Sequence, residues 1–235
     1  MATSTFGGDK KIPMKSPLAK MERRFIDSTI VYIPSWIQGY HLTLMTILWS
    51  AAVIAFGWLA QGSLHWLWGT CVMLFLQWFT DSFDGSLGKL RNTGIPRWGY
   101  YMDHFLDFVF MNSLLIGYYF LVGAGNRITI LCLMALFSAF MTNSFLSFSA
   151  TNEFKITFLG AGPTEVRIYF ILVNIGIICF GMGWVETILP YLLALSIVGL
   201  CVIVFRTQKY IWAVDMASKE PQPEPSPDES DKQDT

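Results

Sequence analysis

Residues 81–107 read DSFDGSLGKLRNTGIPRWGYYMDHFLD. Asp81, Asp84, Gly85 and Gly88 stand at i, i+3, i+4 and i+7, so on a helix they share one face. Asp103 and Asp107 are i and i+4, and Gly99 lies one turn earlier. Two helices joined across residues 90–98 therefore bring four carboxylates and a glycine-lined surface together. Such a group repels itself and loses hydration beside apolar surroundings unless cations hold it. Hard divalent ions with oxygen ligands are the expected partners.

The flanking sequence is apolar. Of 235 residues, 53% are hydrophobic and 14% charged, which is a membrane composition. Six runs approach spanning length: residues 42–60, 64–80, 99–122, 128–150, 168–183 and 187–205. The fifth is short and can start earlier, at Pro163, since proline suits a first helical turn. The expected fold is all-α and polytopic, with six transmembrane helices. Trp36, Trp66, Trp68, Trp78, Trp98 and Trp184 gather near run ends, as interfacial tryptophans do. Residues 18–36 mix Leu18, Met21, Phe25 and Ile26 with Lys20, Arg23 and Arg24, the pattern of an amphipathic helix on a membrane surface.

Charge placement sets orientation. With the N-terminus in the cytoplasm and six spans, Arg127 is the single one of 16 lysines and arginines that faces out. Both termini and the aspartate cluster are then cytoplasmic. Residues 1–17 are Gly-, Ser- and Lys-rich and are expected to be disordered. Residues 18–212 form the membrane domain. Residues 213–235 form an acidic, proline-rich tail with too little apolar surface to fold. The net charge of −1 supplies no basic field for nucleic acid. Cys71, Cys132, Cys179 and Cys201 all lie in apolar runs without a C-x-x-C pair and read as buried small hydrophobes.

The central stretch resembles the CDP-alcohol phosphatidyltransferases, whose motif is D-x2-D-G-x2-A-R, a short spacer, then G-x3-D-x3-D. Here Asp81, Asp84 and Gly85 are followed by Gly88-Lys89 in place of Ala-Arg, and then by Gly99, Asp103 and Asp107. The resemblance implies transfer of a phosphate-linked group from a CDP-linked donor to a hydroxyl, with release of CMP, in phospholipid biosynthesis. The donor is CDP-diacylglycerol or a CDP-amino alcohol, and the acceptor a lipid or small alcohol. It also implies a homodimer among membrane lipids. Two divalent ions, Mg2+ or Mn2+, are expected on Asp81, Asp84, Asp103 and Asp107, with Asp107 as the base for the acceptor hydroxyl. Gly85 and Gly88 let the nucleotide approach the helix backbone, or serve as small residues in helix packing. Lys89, Lys155 and Arg167 are candidate phosphate contacts. His104 and Glu165, the latter within GPTEVR at 162–167, resemble the branch that makes choline and ethanolamine phospholipids and form a second candidate acid/base couple. A competing reading is an ion-coupled small transporter whose acidic residues bind cations at the midplane.

Overall fold

The computed structural model describes residues 19–151 and 162–219. The expectations for residues 1–17, for Lys155 and for the tail from residue 220 onward fall outside those bounds. Regular structure among the described residues is helical throughout: α1 (Ala19–Thr29), α2 (Gly39–Leu59), α3 (Leu67–Leu90), α4 (Pro96–Leu121), α5 (Arg127–Thr151), α6 (Pro163–Phe180) and α7 (Gly183–Lys219). Five of these, α2 and α4 to α7, are long and apolar enough to cross a membrane. The helix α3 has the length, with 24 residues, but carries Asp81, Asp84 and Lys89 and falls short in apolarity. The chain is thus a multi-pass membrane protein, all-helical in its described residues, which show five spans where six were expected.

Burial in α2 is arranged as lipid requires. The residues facing the bundle are small or hydroxylic: Thr43, Thr46, Ser50, Val53 and Gly57 are buried, three or four apart. The large apolar side chains Leu44, Met45, Ile47, Leu48 and Trp58 are exposed on the other side. In a bilayer no hydrophobic force drives helices together, so close backbone approach does. A Cβ added at Gly57 would lie 2.4 Å from the Gly117 Cα of α4. There α2 and α4 touch backbone to backbone.

The helix α2 packs on both α3 and α4, α3 also on α6, α4 on α5, and α5 on α7. The main core joins Val53, Leu67, Leu74, Phe110, Leu114, Leu133 and Ile177, all deeply buried. A second, smaller cluster sits at the acidic end. Ile26 and Ile30 of the N-terminal segment pack there with Leu42, Phe83 and Leu87. The helix α1 stops at Thr29, short of the 18–36 expected, because Ile30, Val31 and Ile33 are β-branched and Pro34 follows. Instead Arg91 gathers the next turn. Its guanidinium donates to the carbonyls of Ile33 at 2.6 Å and Pro34 at 3.1 Å, and also to Ile37.

The turn from α3 to α4 is compact. Arg91 N–H donates to the Leu87 carbonyl at 3.1 Å and Thr93 N–H to the Gly88 carbonyl at 3.0 Å. Asn92 takes the left-handed conformation, φ 52°, that ends many helices and that asparagine tolerates. Pro96 then opens α4 at its first position. At the other end of the chain α7 runs past the expected boundary at 212 to Lys219. Residues 213–219, AVDMASK, are mostly good helix formers, and the next proline is Pro221. The helix α7 contains Pro190 and buries only Leu189 among its 37 residues. Of the four cysteines expected to be buried, Cys71 is, whereas Cys132, Cys179 and Cys201 are exposed on spanning helices whose outer faces meet lipid.

Candidate active site

The two halves of the opening stretch do converge. Carboxylate oxygens of Asp81 on α3 and of Asp103 and Asp107 on α4 lie within 4.8 Å of one another. All three side chains are partly buried. The helices that carry them are held at a working distance by α2, which packs on both. Thus the same small-residue face that lets α2 and α4 touch also sets the gap across which the carboxylates meet.

Arg167 enters this group from α6. Its Nη2 donates to Asp81 Oδ2 at 2.7 Å and to Asp107 Oδ1 at 3.3 Å. Arg167 is buried, so these bonds are little screened by water. It was expected as a phosphate contact; here it bridges a carboxylate on α3 to one on α4. The buried Gln77, one turn before Asp81, donates its Nε2 to Asp107 Oδ1 at 2.9 Å. Both bonds to Asp107 fall on Oδ1, and Oδ2 takes neither. Gln77 was not anticipated. The signal was present, since a glutamine four residues before Asp81 inside an apolar run shares the aspartate face.

Asp84 stands outside the three-carboxylate group. Thr43 Oγ1 of α2 donates to its Oδ2 at 2.5 Å, and its Oδ1 accepts the N–H of Gly85. Gly39, at the start of α2, lets this happen: a Cβ there would lie 2.5 Å from the Asp84 carbonyl oxygen. Thr43 and Gly39 are further site residues that sequence reading passed over.

The glycines divide into two kinds. Among the described residues, a Cβ at Gly85 or Gly99 would meet nothing within 4 Å. Gly88 is buried, and a Cβ there would lie 3.2 Å from the Gly94 Cα. Packing explains Gly88, whereas room for a ligand fits Gly85 and Gly99. Lys89 is exposed at the end of α3.

His104 follows Asp103 on α4. Its Nδ1 lies 2.7 Å from the Tyr100 carbonyl and 3.6 Å from Asp103 Oδ2. Its ring lies tilted beside Tyr100 and meets Phe145 edge-on, with centroids 4.2 and 5.5 Å away. Glu165 sits in the first turn of α6, where its Oε2 accepts the Gly162 N–H at 2.9 Å. That is a capping contact, which satisfies one of the free donors of a helix start.

The residues present suit a hard divalent cation. The donors are all oxygens, and metal–oxygen distances of about 2.0–2.6 Å allow one ion to touch carboxylates spaced as these are. Among the described residues, the Gln77 Oε1 is buried without a hydrogen-bond partner, beside the Asp107 that its own amide holds. A buried amide oxygen left this way is an acceptor waiting for a cation or its water.

The family profile of the CDP-alcohol phosphatidyltransferases matches residues 40–205. No curated protein and no solved structure matches the chain. The match takes in α2 through most of α7, and with it every aspartate of the convergent group. With its carboxylates meeting across α3 and α4, the chain belongs to the CDP-alcohol phosphatidyltransferase family, which transfers a phosphate-linked group from a CDP-alcohol with release of CMP.

Proposed function

We propose that the chain works in phospholipid biosynthesis at the α3–α4 carboxylates, with Asp81, Asp103 and Asp107 as ligands for divalent ions. Asp84, held by Thr43 one turn along α3, is the fourth. The observation that carries this reading is the meeting of three motif carboxylates within 4.8 Å, braced by Arg167 and Gln77. Mg2+ or Mn2+, two ions in the family's manner, would neutralise the pyrophosphate and ease departure of CMP. The chain's own residues do the rest. Gly85 and Gly99 leave room for the nucleotide. Lys89 and Lys155 are assigned to phosphate oxygens. Arg167 is assigned to aligning Asp81 with Asp107 rather than to gripping substrate. Asp107 takes the acceptor proton on Oδ2, because Gln77 and Arg167 both hold Oδ1. The donor is CDP-diacylglycerol or a CDP-amino alcohol, the acceptor a lipid or small alcohol, and the enzyme a homodimer.

The assay is CMP release by the purified chain with a panel of CDP-donors and alcohols. Release is expected to need Mg2+ or Mn2+, to stop on chelation and to return when the ion is restored. CMP release that survives complete chelation would remove the metal assignment. A transporter has no such reaction, and its substrate flux would leave CDP-donors intact.

We further assign α3 as a sixth span. At 1.5 Å per residue its 24 residues reach about 36 Å, enough for a bilayer core of about 30 Å. The helix α1 is assigned to the interface, with Arg23 and Arg24 exposed to headgroups. Both termini and the Asn92 turn are then cytoplasmic, where nucleotide-activated substrates are supplied. In a cysteine-free background, an impermeant thiol reagent on intact cells should label a cysteine at position 126 and miss one at position 92. The opposite pattern would invert the topology and separate the site from its nucleotide.

A further inference from the structure

The helix α1 precedes the family-matched residues 40–205, yet one of its side chains reaches both the helix that carries Arg167 and one of the two whose aspartates Arg167 bridges. Glu22 Oε1 accepts from Trp78 Nε1 at 3.0 Å and from Ser82 Oγ at 2.8 Å, both on α3. Its Oε2 accepts from Thr164 Oγ1 at 3.1 Å, in the first turn of α6. Ser82 is the residue after Asp81. Thr164 is three before Arg167, so the two are neighbours along α6. Glu22 itself is fixed from behind. Phe25 stacks on Trp78 and meets Phe83 edge-on, each with centroids 6.0 Å apart, and Ile26 is buried against Phe83 and Leu87.

We propose that Glu22 is a positioning residue for the transfer reaction. Its carboxylate locks the first turn of α6 onto α3, and thereby holds the Arg167 guanidinium across Asp81 and Asp107. The inference rests on the roles assigned to those aspartates above. Three hydrogen bonds on one carboxylate define a direction as well as an attachment, since the two oxygens serve different helices. A guanidinium bridging two carboxylates is sensitive to that direction. A displacement of about 1 Å at a reacting centre can cost about 10²-fold in rate.

The test uses the full-length chain and three variants. Glu22→Ala removes all three bonds. Its kcat per folded enzyme is expected to fall at least about tenfold, with KM for the CDP-donor changed less than about twofold. Thr164→Val removes only the α6 bond and should lower kcat in the same sense. The double variant should be little worse than Glu22→Ala, because the two residues act as one unit. Glu22→Gln keeps an acceptor for Trp78 and Ser82 and can donate to the Thr164 hydroxyl, so it should recover most of the turnover. Hydrogen exchange supplies a readout independent of catalysis. In Glu22→Ala the amides of residues 166–168 should exchange at least about tenfold faster, with those around Gly57 unchanged. Unaltered exchange at 166–168, or wild-type kcat in Glu22→Ala, would overturn the proposal. Absence of CMP release from the unmutated chain would instead overturn the transfer reading, and the exchange experiment would still decide the lock.

Discussion

Asp107→Asn is expected to lower turnover by about 10²–10⁴, the usual share of general-base catalysis. The substitution is well placed to isolate that role. Asparagine keeps an oxygen for Gln77 Nε2 and Arg167 Nη2, the two donors that hold Asp107 Oδ1. The side chain therefore retains its braces and loses its basicity. His104→Gln is expected to cost much less, since its Nδ1 already lies against the Tyr100 carbonyl and its ring is wedged between Tyr100 and Phe145. Glu165→Gln should likewise act mainly on the start of α6, whose Gly162 N–H it accepts. Manganese binding must be measured beside turnover, because Asp107 is also one of the three clustered carboxylates. Near-normal turnover in Asp107→Asn with manganese still bound would sink the base assignment. Severe and non-additive losses in His104→Gln and Glu165→Gln would transfer it to that couple.

Gly57→Ala is expected to destabilise the fold out of proportion to its single methyl group. The added Cβ would lie 2.4 Å from the Gly117 Cα and 2.9 Å from its carbonyl oxygen. These are backbone atoms, so no side-chain rotation makes room and the helices must separate. Overpacking of a core costs about 1–3 kcal/mol, and a backbone clash belongs at the top of that range or beyond. Activity should fall faster than folded yield. The helix α2 brings Thr43 to Asp84, while α4 carries Asp103 and Asp107, so parting them opens the site. Gly62→Ala is the matched control, since its Cβ would meet only the Leu59 carbonyl at 3.6 Å. A Gly57→Ala enzyme with unchanged melting would show that α2 and α4 can part at no cost.

The sequence made the centre of this protein legible and its supports much less so. Four aspartates at helical spacing announced a convergence, because i, i+3 and i+4 relations are local and need no tertiary knowledge. Their braces come from afar. Arg167 lies on a different helix from either aspartate it pairs with, and nothing in its own neighbourhood separates an ion pair from a topology signal. Gly85 and Gly88 look alike in the motif; only the packing of Gly94 onto Gly88 tells them apart. The shortfall in apolarity along α3 has a related origin. The polar residues that serve the site are the ones that dilute the hydropathy of the helix carrying it. At the C-terminal end, helix-forming residues run on to Lys219 and the tail's prolines begin only beyond it, at Pro221.

The length of α7 has a mechanical consequence. Its 37 residues make a rod of about 55 Å at 1.5 Å per residue. A hydrocarbon layer of about 30 Å cannot contain it at the tilts of up to about 40° that membrane helices adopt. Part of the rod therefore leaves the hydrocarbon, and Arg206 is the first cation along it. From there to Lys219 the helix runs a further 20 Å or so. At those tilts the stretch rises about 15–20 Å, about two Debye lengths of about 8 Å each at physiological salt, of which the headgroup layer takes about 5–7 Å. The helix would act as a mast, setting Lys219 off the headgroup layer.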